Sequence, residues 1–278
     1  MKLDTRYSNN PEDSKHYDTA TLRRNFLIEK LFVQDEIMLT YSHQDRIIVG
    51  GVMPVKGELT LGTCKELATD FFLQRREMGV INIGGEGTVI LDGKQYDVKH
   101  REGMYIGMGT KQIVFRSRDK KSPAKFYINS CPAHKTYPTV HVTKQRVNQM
   151  ASGDAAHFNK HVINQYVHPT VCESCQLSMG LTEIDPTSNW NTMPANTHER
   201  RMEVYMYFDL HDDNVVIHLM GTKKETRHII MHNEQAVICP SWSIHSGVGT
   251  GSYSYIWGMC GENQTFTDID VISTLELK

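Results

Sequence analysis

Short apolar runs broken by glycine fill most of the chain, and this pattern constrains the fold more than any other feature. Between residues 35 and 130 they include Arg46-Ile-Ile-Val49, Gly79-Val-Ile-Asn-Ile83, Gly87-Thr-Val-Ile-Leu91, Gln112-Ile-Val-Phe115 and Ala124-Lys-Phe-Tyr-Ile128. Runs of this length between turn residues read as strands, and many short strands in one chain form a sandwich or barrel. Asp92-Gly93, set between Thr88-Val-Ile-Leu91 and Gln95-Tyr-Asp-Val98, predicts a two-residue hairpin because both residues tolerate the positive φ such a turn demands. From residue 166 the pattern returns in Glu203-Val-Tyr-Met-Tyr-Phe208, Val215-Val-Ile-His-Leu-Met220 and Tyr253-Ser-Tyr-Ile-Trp257. The expectation is therefore a mainly all-β protein of two barrels with a few short helices. Its divisions are an N-terminal arm and short helix (1–34), a first barrel (35–130), an interdomain crossing marked by Pro132, Pro138 and Gly153 (131–165), and a second barrel (166–278).

Residues 1 to about 20 are polar and aperiodic, so they either wrap over a neighbour or stay loose. Thr21 to Phe32 carries apolar residues at 22, 26, 27 and 31 with charges between them, which predicts a short amphipathic helix capped near Thr21 and docked on a sheet. At 278 residues and 39% hydrophobic content the chain can bury real cores. A net charge of -2 from 30 basic and 32 acidic residues gives no electrostatic reason for a nucleic-acid or membrane partner. No run reaches the roughly 18 apolar residues of a membrane span, and the start has no apolar signal-peptide core, so a cytoplasmic address is expected. The six scattered cysteines read as reduced thiols, with Cys172-Glu-Ser-Cys175 a lone pair better explained by structure than by zinc or redox chemistry.

The two halves read as diverged repeats. His100-Arg-Glu-Gly-Met-Tyr-Ile106 lies over His232-Asn-Glu-Gln-Ala-Val-Ile238 at an offset of 132, and at that offset His245 falls opposite Ile113. A metal would then belong to the second barrel alone.

Chemistry concentrates in Asn196-Thr-His-Glu-Arg-Arg-Met-Glu-Val-Tyr205 and in His245. Along an extended strand residues 196 and 198 share a face. Glu203 breaks that parity, so a bulge or bend around Glu199 to Arg201 must re-aim the chain before it joins them. Two imidazoles and a carboxylate suit zinc, iron, manganese or nickel and leave positions for water or substrate. The spacing resembles the cupin motifs, HxHxxxxE followed by a proline five residues before a histidine, here Pro240 and His245.

Wider stretches are more specific. Trp190-Asn-Thr-Met-Pro194, Thr197-His-Glu-Arg-Arg-Met-Glu-Val-Tyr205, Arg227-His228, Met231-His-Asn-Glu-Gln-Ala-Val237 and Pro240-Ser-Trp-Ser-Ile-His-Ser-Gly-Val-Gly249 resemble the 5-dehydro-4-deoxy-D-glucuronate isomerases. In the first half, Tyr41 to Gly51 and Arg75 to Gly85 extend the likeness to nearly the whole chain. The resemblance implies a bicupin and a homohexamer, with zinc on His198, Glu203, His245 and position 196, where this chain has Asn196 instead of the family's histidine. It also implies aldose–ketose isomerisation of 5-dehydro-4-deoxy-D-glucuronate to 3-deoxy-D-glycero-2,5-hexodiulosonate in pectin and uronate degradation.

Arg200 and Arg201, being adjacent, should diverge, one holding the substrate carboxylate and the other a structural ion pair. Arg227 is a second candidate anchor. Tyr205 is barrel lining that also offers a hydroxyl, and a metal-bound water, Glu234, His228 or a residue of another subunit are the candidates for the unassigned base. Two rival readings are a uronate-binding or sensing cupin weakened by Asn196 and a two-histidine, one-carboxylate oxygenase.

Overall fold

The computed structural model describes residues 1–278 apart from Asp212 and Asn263. It is 46% strand and 8% helix. Two compact units emerge, one of residues 1–5, 30–148 and 166–179 and the other of residues 6–29, 149–165 and 180–278.

Each unit is built from two sheets, and the strand order repeats. In the first unit Ile48–Val52, Phe126–Pro132, Arg76–Asn82 and Gly103–Ile106 lie side by side within a seven-stranded sheet. Its second sheet runs Leu59–Thr60, Ile113–Ser117, Gly87–Leu91, Lys94–Val98. In the sheet of the second unit, Leu177–Ile184, which belongs to that unit from Gly180 on, Ser254–Gly261, Arg201–Phe208 and Gln235–Cys239 take the same order. Trp190–Thr197, His245–Gly249, Val216–Thr222 and Glu225–Met231 again form the other sheet, with Asp270–Val271 added at its edge.

The repeat is real in topology, but its register at this strand is 133 rather than 132. Ile106 pairs with Met78 and faces the first core, while Cys239 pairs with Glu203 and faces the second, as Ile238 does not. A slip of one residue would send every side chain to the wrong face of the sheet. Matched by facing and pairing, the first unit places Met78 where the second has Glu203, Ile113 where it has His245, and Leu61, whose amide bonds the Ile113 carbonyl, where it has Asn196. All three belong to an apolar core with Val80, Val89, Met104, Phe115 and Ile128. The second core holds Tyr205, Tyr207, Tyr253, Tyr255 and Trp257, aromatic bodies whose polar tips need partners.

The hairpin at Asp92-Gly93 forms, with Leu91 paired to Lys94 and φ of 48° and 85° at the two turn residues. Gly93→Ala should cost about 1 kcal/mol, since a Cβ disfavours that backbone region; chemical denaturation reads the shift. The N-terminal helix differs from expectation. It spans Thr19–Phe26, is capped by Asp18 through the Thr21 amide, and gives way to a two-residue strand, Leu27–Ile28, paired with Val237 and Ala236. Burial of Leu22 and Phe26 in the second unit's core fixes the helix there, and the sheet edge recruits residues 27 and 28 into extended pairing. Residues 2–6 are ordered as a strand, and 131–165 contributes Val140–Val142, Asn148–Ser152 and most of His161–Val167 to sheets. Arg227, a candidate ligand anchor by sequence, donates to the carbonyls of Lys15 and Tyr17 and so ties down the N-terminal segment.

Candidate metal and substrate site

The strand Trp190–Thr197 ends one residue before His198, and after a turn at Glu199-Arg200 the chain starts Arg201–Phe208 in the other sheet. The parity change between 198 and 203 is thus achieved by a turn between two sheets, and His198 lies outside the strand in which the sequence placed it. Arg201, Glu203, Tyr205 and Tyr207 then share one face of a strand that is buried along its whole length. His245 opens its own strand directly opposite Asn196. The Pro240–Ile244 turn ahead of it is held by the Trp242 ring edge-on to Phe26 and by the Ser243 amide on the Pro240 carbonyl.

His198, Glu203 and His245 converge, each 2–3% exposed. Glu203 Oε2 lies 3.1 Å from His198 Nε2 and 3.0 Å from His245 Nε2. One ligand atom from each residue falls within 4.8 Å of the others. His198 Nδ1 sits 2.9 Å from the Arg201 carbonyl, so the proton belongs on Nδ1 and the Nε2 lone pair faces the cluster. Asn196 adds an oxygen: its Oδ1 is buried without a hydrogen-bond partner. Two imidazole nitrogens, a carboxylate and an uncommitted amide oxygen are a donor set that fits a divalent cation.

Electrostatics agree with that fit. Burial by itself would raise the Glu203 carboxyl, but the charge of His245 and hydrogen bonds from both imidazoles outweigh it and hold it down to about 2. Burial likewise works against a proton on His198, yet the Glu203 hydrogen bond and charge outweigh it and hold that imidazole above its ordinary value. Glu203 is therefore an anion at any working pH, and in the absence of a cation a proton on His198 balances it.

The cluster opens into a cavity of about 360 Å³. Arg201 lines it, fully buried, with Nη2 on Asp268 2.8 Å away, Phe266 under the guanidinium at 5.6 Å, and Nε and Nη1 buried without partners. Arg200 turns outward and pairs with Glu262 at the surface. Tyr205 also lines the cavity, its hydroxyl 2.8 Å from Thr192 Oγ1; burial first, then the Glu203 charge, pushes the phenol well above its ordinary value, so it stays protonated. Arg227, His228 and Glu234 do not line this cavity. His228 is exposed in the pairing between Val216–Thr222 and Glu225–Met231, and Glu234 occupies a turn at φ 61°.

Sequence reading missed several cavity residues. His161, Thr182, Tyr255 and Trp257 come from three separate strands and share no local motif. His161 holds Nδ1 on the Asn159 carbonyl at 2.5 Å, and Trp257 donates to Thr182 at 3.2 Å. Beneath the cluster, His218 is wholly buried between Tyr207 and Cys239; burial drives it down to about 3, so it is a neutral ring, and its Nδ1 shares a hydrogen bond with the Tyr207 hydroxyl. All six cysteines are free thiols, and Cys172 and Cys175 belong to no metal-ligating group among the described residues.

Comparison with known proteins matches residues 26–272 to the model of the KduI/IolB family. The chain is 54% identical over 276 residues to the 4-deoxy-L-threo-5-hexosulose-uronate ketol-isomerase 2 of Enterococcus faecalis (strain ATCC 700802 / V583), covering 99% of this chain and 100% of that one. It is 55% identical over 278 residues to the 4-deoxy-L-threo-5-hexosulose-uronate ketol-isomerase of Escherichia coli (strain SMS-3-5 / SECEC), with the same coverage of each. Among solved structures, an IolB-like protein from Salmonella typhimurium LT2 superposes with a TM-score of 0.72 at 12% identity, covering 89% of this chain and 97% of the other. An oxalate decarboxylase of Lactobacillus farciminis, solved as a formate complex, gives 0.56 at 9% identity, covering 81% and 79%. These two similarities concern the fold.

Proposed function

The chain belongs to the KduI/IolB family, and on that footing we propose that it is a ketol-isomerase acting on 5-dehydro-4-deoxy-D-glucuronate, also called 4-deoxy-L-threo-5-hexosulose uronate. The product is 3-deoxy-D-glycero-2,5-hexodiulosonate, in the degradation of pectin-derived uronates. The observation that carries this reading is one cavity that joins a buried His/Glu/His cluster to a buried guanidinium with two uncommitted nitrogens. A sugar acid has a carbonyl to be polarised and a carboxylate to be anchored, and the cavity offers a group for each.

Isomerisation between an aldehyde and the adjacent ketone moves a proton between neighbouring carbons through an enediolate. A divalent ion such as zinc, held by His198, Glu203 and His245, supplies Lewis acidity to the carbonyl oxygen when bound. Arg201 binds the substrate carboxylate through the N–H groups of Nε and Nη1 that Asp268 leaves unpartnered, held in direction by the planar guanidinium. Its half-buried partner Asp268 keeps it in place. Tyr205, protonated throughout the working range, offers a hydroxyl to an oxygen that gains charge. With His228 and Glu234 off the cavity, His161, an imidazole that lines it outside the cluster, is this chain's side-chain candidate to carry the travelling proton.

Metal loading should be pH-dependent. A cation needs neutral imidazoles, so affinity rises as pH climbs through the raised His198 value. In the metal-stripped protein the signs are opposite for the two partners. The contribution from Glu203 is full above about 4.5 and lost as pH falls towards about 2. That from His198 is full below about 6.5 and lost as pH rises through its raised value. Stripped protein should thus be most stable between those limits, whereas loaded protein should gain stability above them; thermal melts across pH, with and without added zinc, read both curves.

A homohexamer working in the cytoplasm is part of this proposal and rests on the family resemblance; light scattering reads the assembly. No helix of the described residues is long and apolar enough to cross a membrane. The decisive experiment is turnover of the hexosulose uronate with elemental analysis of the same sample. Product and about one divalent ion per chain are expected; neither product nor ion overturns the reading.

A further inference from the structure

Asn196 is the polar side chain at the cluster with no assigned partner for its oxygen. Its Cα is paired with that of His245 across neighbouring antiparallel strands, so the two side chains stand on the same face about 5 Å apart at Cβ. It lines the same cavity as His198, Glu203 and His245, and its Oδ1 is buried without a hydrogen bond. A buried carbonyl oxygen left without a donor is costly, and a cation beside it removes that cost. In the first unit the matching position is Leu61, a member of the apolar core.

We infer that Asn196 is a ligand of the bound metal, and that the resulting two-nitrogen, two-oxygen donor set narrows the preference for zinc over a harder divalent ion such as manganese. The inference rests on the metal-site reading above and adds its fourth donor and its selectivity. Imidazole favours zinc, whereas carboxylate and carbonyl oxygens suit manganese and magnesium. A neutral amide oxygen at 196 therefore costs zinc more than manganese. Zinc still binds more tightly in absolute terms, following the general order of divalent affinities, but by a smaller factor than a third imidazole would give.

Affinities for zinc and for manganese are measured by chelator competition on stripped protein, with manganese electron paramagnetic resonance as a second readout independent of turnover. Asn196→His should raise zinc affinity by about 10-fold or more while leaving manganese affinity within a few fold. Asn196→Ala should weaken both metals by about 10-fold and alter the manganese spectrum. Unchanged affinities and an unchanged spectrum in Asn196→Ala overturn the inference while leaving the three-ligand site standing. An equal gain for both metals in Asn196→His overturns the selectivity argument. Absence of any metal binding by the unmodified chain overturns this inference together with the metal-site reading, a result distinguishable because Asn196 variants then have nothing to change.

Discussion

Glu203→Gln is expected to strip the protein of its metal and lower kcat/KM by more than about 100-fold, at least the loss seen when groups supporting a metal ligand are removed. Glu203 Oε2 is the atom both imidazoles approach, at 3.0 and 3.1 Å, and the side chain is almost wholly buried. Glutamine keeps the shape but brings no charge, so two buried imidazoles lose the anion that balances a cation between them. It also donates hydrogen bonds towards nitrogens whose lone pairs should face the metal. Elemental analysis and steady-state kinetics read the two losses, and circular dichroism separates them from unfolding. A folded variant that keeps its full metal content and near-normal turnover places the chemistry elsewhere in the molecule.

The second large effect is expected at Arg201. Removing one member of a buried, hydrogen-bonded charge pair costs roughly 2–5 kcal/mol in binding, so Arg201→Met should reduce kcat/KM by about 30-fold to several thousand-fold. The loss should fall mainly on KM, because a carboxylate remote from the reacting carbons is held alike in ground and transition states. Arg201→Lys keeps the charge but loses the planar fork, and should recover only part of the affinity. Metal content should stay normal in both, which distinguishes this defect from that of Glu203→Gln. The competing explanation is that Arg201 serves only its ion pair with Asp268. Under it, both variants lose stability while KM for the uronate is unchanged, and that outcome rules out the anchor.

Adjacent Arg200 and Arg201 show how far residue spacing can be read. Neighbours on a strand point to opposite faces, so one guanidinium had to leave the site, but parity alone does not say which. The answer depends on where the strand begins and which face of the sheet is inside. Arg201 opens the strand on the face shared with Glu203, and Arg200 in the preceding turn meets Glu262 at the surface. The same limit explains the one-residue error in the internal repeat. Matching His100–Ile106 to His232–Ile238 by wording gives 132, while the inward faces require Ile106 to match Cys239.

Local patterning settled what depends on nearest neighbours along the chain. The glycine-punctuated apolar runs specified strands, Asp92-Gly93 specified its hairpin, and the spacing of His198, Glu203 and His245 marked the cluster that the structure brings together. What tertiary structure alone decided is whatever needs several strands at once. Arg227 had a plausible place in sequence and proves to hold the N-terminal segment, since only the fold brings Lys15 and Tyr17 to it. His161, Thr182, Tyr255 and Trp257 become one wall because strands distant in sequence lie beside one another. Side-chain alternation is a property of a single strand and survives in the sequence, whereas a cavity is a property of how sheets close on a core, which no short stretch of residues encodes.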